Sequence, residues 1–184
     1  MLLLAVSGCA SGNDQDADSA ATAPATTVTS SAPAPAAPAD PGIDALRRAA
    51  STATAAVPDS TVVSIEKERD GRWEIQVVTA DGSEHEMDVS SDGAAVTMGP
   101  TAKIEDEADK AKHRDRVQAA RVDYRVAADK VLSEVPNGTI TELNLDSNNG
   151  TTVWEADVVD GSQTKHEVTI DAASGQVLQN KTGR

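Results

Sequence analysis

Val135-Pro136-Asn137-Gly138-Thr139-Ile140 repeats Val57-Pro58-Asp59-Ser60-Thr61-Val62 at an offset of 78 residues. Trp73-Glu74, Val77-Val78 and His85-Glu86-Met87 then return as Trp154-Glu155, Val158-Val159 and His166-Glu167-Val168, at an offset of 81. A fixed-period echo of this kind marks a duplicated structural unit, and it decides the reading of the fold. The three extra residues belong between the two blocks, where Asp146-Ser147-Asn148-Asn149-Gly150 faces the shorter Asp70-Gly71. Turns tolerate such insertions.

Around each repeated block the hydrophobic period changes in the same order. Ile43, Leu46, Ala49, Ala50, Ala53 and Val57 recur at spacings of three and four, as do Val117, Ala120, Tyr124, Ala127, Ala128, Val131, Leu132 and Val135. That is one face of a helix. Each helix should stop before its proline, Pro58 or Pro136, because the residue preceding proline is driven out of the α region. Beyond the proline the period becomes two: Val63 and Ile65, then Trp73, Ile75 and Val77, then His85, Met87 and Val89 in the first copy. The second copy gives Leu143 and Leu145, then Trp154, Ala156 and Val158, then His166, Val168 and Ile170. Asp70-Gly71, Asp81-Gly82, Asn149-Gly150 and Asp160-Gly161 read as two-residue type I′ hairpin turns.

The expected class is therefore α+β: two tandem α-β-β-β units, each with one helix packed on a three-stranded antiparallel sheet. Intervening polar residues such as Arg72, Glu74, Gln76, Glu155 and Asp157 should form an outward sheet face. Residues 43–99 are expected to form repeat one, and residues 100–184 repeat two. Lys103 to Lys110 is rich in helix formers and alternating charge but lacks an apolar stripe, and reads as an exposed helical extension of the second helix.

Residues 10–42 are dominated by Ala, Ser, Thr, Pro and Asp, with five prolines, Pro24, Pro33, Pro35, Pro38 and Pro41. Such a segment cannot bury enough apolar surface to offset ordering, so it is expected to be a disordered stalk. Residues 1–9 end in Val6-Ser7-Gly8-Cys9, an aliphatic, small, small, Cys pattern that resembles a bacterial lipobox. The resemblance implies lipidation at Cys9 and an extracytoplasmic protein anchored to the cell membrane. Only eight residues precede Cys9 and none is charged, whereas secretory signals run to roughly 15–30 residues with a basic start. The true start is thus expected upstream.

Sixteen basic against thirty acidic residues give a net charge of −14, which repels phosphate backbones and argues against nucleic-acid partners. A single cysteine excludes an intrachain disulfide or a multi-cysteine metal centre. With no Phe, two Trp and one Tyr, the core must be built from aliphatic residues.

Helix, Val-Pro, strand, Gly turn, a strand opening on an aromatic, a third strand and then Asp-x-x-Ser/Thr-Gly-x-Val is a pattern that resembles PepSY domains. Copy two ends Ile170-Asp171-Ala172-Ala173-Ser174-Gly175-Gln176-Val177-Leu178, and copy one ends more loosely in Val89-Ser90-Ser91-Asp92-Gly93-Ala94-Ala95-Val96. The resemblance spans Ile43 to Gln179 and implies a binding or regulatory module without catalytic residues, of the kind that restrains thermolysin-like peptidases. Tandem α-β-β-β units are also similar in architecture to secreted β-lactamase inhibitors, which use disulfides this chain lacks.

His85-Glu86 and His166-Glu167 invite a proton-transfer or metal reading, but adjacent strand residues point to opposite faces. Each His is expected to be partly buried at a sheet margin, and His113, among Lys112, Arg114 and Asp115, to be solvated. Asp146 to Gly150 matches only the opening of an EF-hand loop and reads as a turn. Glu105-Asp106-Glu107 reads as a charged helix face, and Trp73 and Trp154 as core. The expectation is no enzyme, no cofactor and no metal site. The partners would be the membrane, through the lipid anchor, and an envelope protein such as a peptidase, with the binding residues unassigned. The alternatives are a sensor or buffer of small cationic ligands and a secreted-enzyme inhibitor.

Overall fold

A computed structural model of the chain describes residues 41–183; the lipobox, Cys9 and the stalk through residue 40 lie outside the described residues. The elements are α1 (Pro41–Ala56), β1 (Ser60–Lys67), β2 (Trp73–Thr79), β3 (Glu84–Val89), β4 (Val96–Ala102), α2 (Glu107–Ala119), α3 (Tyr124–Glu134), β5 (Thr139–Asn148), β6 (Thr151–Val159), β7 (Lys165–Asp171) and β8 (Val177–Thr182). The class is α+β, as expected. The strands, however, form one eight-stranded sheet in the order β4-β3-β2-β1-β5-β6-β7-β8, with every neighbouring pair antiparallel. The expectation of a separate three-stranded sheet in each copy is corrected on two counts: each copy supplies four strands, and the two sets join.

The joint explains the arrangement. In β1–β5 the paired residues are Ser64 with Asn144, Ile65 with Leu143, and Glu66 with Glu142. Leu143 lies 78 residues after Ile65, the repeat offset, so the central pair consists of the same position taken from each copy. The copies meet like two halves of a symmetric dimer, about a pseudo-twofold axis between these two side chains. Both are fully buried, and they belong to one hydrophobic cluster running from Leu46, Ala49 and Ala53 of α1 to Ala127, Ala128 and Val131 of α3. Pairing β1 with β5 covers two strand edges that would otherwise expose unpaired backbone groups.

Equivalent local devices recur. Asp59 and Asn137, the residues after the two prolines, both take left-handed backbone, at φ 59° each, which reverses the chain from helix into strand. The register slips between Val62 and Ser64 and, 78 residues on, between Ile140 and Glu142. Both tryptophans are buried, and each indole N–H donates to a carbonyl, Trp73 to Ser91 at 3.2 Å and Trp154 to Val122 at 2.7 Å.

Turns and helices differ in detail from expectation. Asn149 (φ 51°) and Gly150 (φ 81°) form the expected two-residue turn. At Gly71 and Gly82 only the glycine is left-handed, and its N–H closes a four-residue turn onto Glu68 and Thr79, respectively, at 2.8 Å. After Asp160 the left-handed residue is Gln163 rather than Gly161. The expected long second helix is two helices. Asp106 caps α2 by accepting from the N–H groups of Ala108 and Asp109, and Asp123 starts α3 afresh by accepting from Val126. Between them the N–H groups of Arg121 and Val122 both donate to the carbonyl of Ala172, at 2.9 Å each, and pull the chain out of helix. The boundary expected at Gly99-Pro100 falls inside β4.

Candidate functional site

α1 and α3 cover one face of the sheet; the opposite face is open and polar. Register across the strands builds its main feature. Asp88 stands opposite Glu74, Glu74 opposite Glu66, Glu66 opposite Glu142, Glu142 opposite Asp157, and Asp157 opposite Glu167. Six carboxylates from six successive strands thus form one row at right angles to the strands. With strands roughly 4.8 Å apart, the row is about 24 Å long. Like charges directly opposite each other in a sheet are destabilising.

Asp88 and Asp157 are neutralised and the middle of the row is not. Arg72 pairs with Asp88 at 2.7 Å, Lys165 pairs with Asp157 at 2.6 Å, and Glu167 stands opposite Lys181. Among the described residues no cation lies within ion-pair distance of Glu66, Glu74 or Glu142. Partial burial, followed by repulsion from Glu86, Glu66, Glu68 and Asp88, raises the pKa of Glu74. Burial, then repulsion from Asp157 and Glu66, raises that of Glu142, while an Asn144 amide hydrogen bond opposes the rise. Beside the row runs a second one of uncharged and acidic residues, Glu86, Gln76, Ser64, Asn144, Glu155 and Thr169. Clefts of about 370 Å³ near Glu142, Glu155 and Asp157, and about 290 Å³ near Glu74, Glu86 and Asp88, open along this face.

α2 flanks this face. It contains no fully buried residue; Val117 packs against the core, and polar contacts hold the rest. The Arg116 guanidinium donates to the Leu145 carbonyl at 3.1 Å and shares a cleft of about 250 Å³ with Glu66, Ser64 and Gln76. Arg114 donates to the Asp81 carbonyl at 2.5 Å. No helix among the described residues is long and apolar enough to cross a membrane.

The histidines fall differently from one another. His85 and His166 are half-buried on the parity of the apolar side chains, and Glu86 and Glu167 point to the other face, so neither pair converges. The Nε2 of His166 lies 3.1 Å from Asp160. His113, expected to be solvated, is 14 % exposed and sits between Glu84 and Glu105. Of the three acidic residues read as a helix face, Asp106 is the α2 cap, and Glu105 is packed beneath the helix. Asp146 to Gly150 forms the tip of the β5–β6 hairpin.

Alternation along single strands marks the outer parity only as polar. The row was hidden because it depends on the β1–β5 register, which no single strand reveals.

Residues 125–179 match the PepSY family model, described as the peptidase propeptide and YPEB domain. The match spans α3 and β5 to β7 and runs into β8. PepSY domains are commonly peptidase-regulatory modules rather than catalysts. A solved structure, a provisionally assigned lipoprotein of Clostridium difficile 630, is similar at a TM-score of 0.47 and 19 % identity, covering 71 % of this chain and 87 % of that one. No curated protein sequence matches.

Proposed function

We propose that the chain is a non-catalytic cell-envelope lipoprotein, held at the membrane through Cys9, whose PepSY-type module binds and restrains an envelope peptidase. The observation that carries this reading is the row of carboxylates on the open sheet face, unneutralised at Glu66, Glu74 and Glu142. A stable protein gains nothing from repelling charges at the centre of its sheet. A partner presenting Lys or Arg side chains would relieve that repulsion, be steered toward the face over long range, and find room along the clefts. Both copies of the repeat contribute to the row, so the duplication supports a binding surface that a single copy would lack.

The test uses the chain with Cys9→Ser and a second version that also carries Glu66→Gln, Glu74→Gln and Glu142→Gln. Added to an envelope extract, the first should lower peptidase activity, less so as salt rises. The row-neutralised version should be at least tenfold weaker. Equal inhibition by both, or none by either, would refute the reading.

A further inference from the structure

Independently of the sheet face, three side chains from three parts of the fold converge where α2 crosses the start of β3. Glu84 opens β3, Glu105 lies in the loop after β4, and His113 stands in α2. The side chains of Glu84 and Glu105 are each 10 % exposed. One oxygen of Glu105 accepts the Glu84 backbone N–H at 3.0 Å, which fixes that carboxylate and leaves Oε1 3.3 Å from His113 Nδ1. His113 Nε2 lies 3.7 Å from Oε2 of Glu84. Despite its proximity to Glu105, Nδ1 makes no hydrogen bond, so this buried imidazole nitrogen lacks a hydrogen-bond partner. One ligand atom from each residue can be chosen so that all three lie within 4.8 Å of one another.

Charge points the same way. Lys103 binds the other oxygen of Glu84 and lies 3.3 Å from Glu86. Glu84, Glu86 and Glu105 against Lys103 leave an excess of two acidic side chains around the His113 imidazole. Of the cations on α2, Lys110 and Lys112 pair with Glu107 and Asp109 of the helix itself, Arg114 donates to the Asp81 carbonyl, and Arg116, which shares a cleft with Glu84, pairs with Asp146 at 3.7 Å.

We propose that Glu84, Glu105 and His113 form a site for one divalent transition-metal cation, zinc by preference, which fastens α2 to the sheet. One imidazole and two carboxylates suit zinc, whereas calcium and magnesium favour all-oxygen sets. The metal adds to sparse apolar packing: α2 buries no residue fully and sets only Val117 against the core, and a cation bound by β3, the loop and the helix ties all three together.

The experiment titrates zinc chloride into the metal-free full chain carrying Cys9→Ser, so that no thiol competes. One equivalent should bind, raise the melting temperature and slow amide exchange in α2, with no comparable response to calcium or magnesium. His113→Ala and Glu105→Gln should each weaken binding at least tenfold; His166→Ala should not. Glu105→Gln keeps an acceptor for the Glu84 N–H and so guards against simple unfolding. X-ray absorption of the zinc-loaded parent should show a single imidazole ligand among oxygens. No zinc binding by the parent, undiminished binding in both variants, or two or more imidazoles at the metal would overturn the proposal.

Discussion

Replacing Glu142 by Gln should make the protein more stable at neutral pH. The carboxylate faces Glu66 on one neighbouring strand and Asp157 on the other, and its pKa is raised by burial and by both of these charges. Directly opposed like charges cost roughly 0.2–1 kcal/mol per pair. Asp157 is already paired with Lys165, and solvent screens the exposed part of the site, so the net gain is about 0.5–1 kcal/mol. For a domain of this size that corresponds to a rise of roughly 2–4 °C in melting temperature. The pH dependence has a definite sign. With its folded pKa above the unfolded one, Glu142 binds more protons in the native state, so its effect lowers stability as pH rises through and above the ordinary carboxylate range. The gain from Glu142→Gln should therefore be present at pH 7, absent at pH 3, and smaller in 0.5 M salt than in 20 mM. Thermal melts of parent and variant under these conditions are sufficient. An unchanged or lower melting temperature at pH 7 and low salt would refute the claim that the row is electrostatically strained.

Further outcomes concern other parts of the chain. Arg72→Ala should destabilise by about 1–3 kcal/mol in urea unfolding, because it leaves the buried Asp88 carboxylate unpaired. Gly93→Ala should cost far more than Gly150→Ala, although both glycines are left-handed. A Cβ at Gly93 would stand 2.5 Å from the Ala45 carbonyl oxygen in α1, while at Gly150 it would meet nothing. Leu143→Ala should cost about 2–5 kcal/mol, and single-tryptophan versions retaining Trp73 or Trp154 should melt together; separate transitions would mean that each copy is stable by itself. Cys9→Ser should release the protein from the membrane fraction of cells, and retention there would remove the lipid-anchor assignment.

Helix and strand positions were legible where periodicity was strong. The stripe Leu46, Ala49, Ala50 and Ala53, the alternation Trp73, Ile75 and Val77, and its echo Trp154, Ala156 and Val158 all face the core. β4 and β8 were missed because they are edge strands with almost nothing buried. Val96 to Ala102 is interrupted by Gly99-Pro100, and Val177 to Thr182 is mostly polar. The join of the two copies was not legible because alternation tells which face a residue occupies and not which strand lies alongside. The carboxylate row inherits that difficulty. His113 was concealed by its basic neighbours, and the one available signal was a carboxylate, Glu105, eight residues earlier across a helix cap.

Under the proposed function, the partner docks on the open sheet face. Chemical-shift mapping of the isotope-labelled chain against an envelope peptidase that it inhibits tests this most directly. The predicted result is perturbation concentrated at Glu66, Glu74, Glu142 and Asp157, with α1 and α3 unaffected. Perturbation concentrated on the helical face, with the row unchanged, would contradict it.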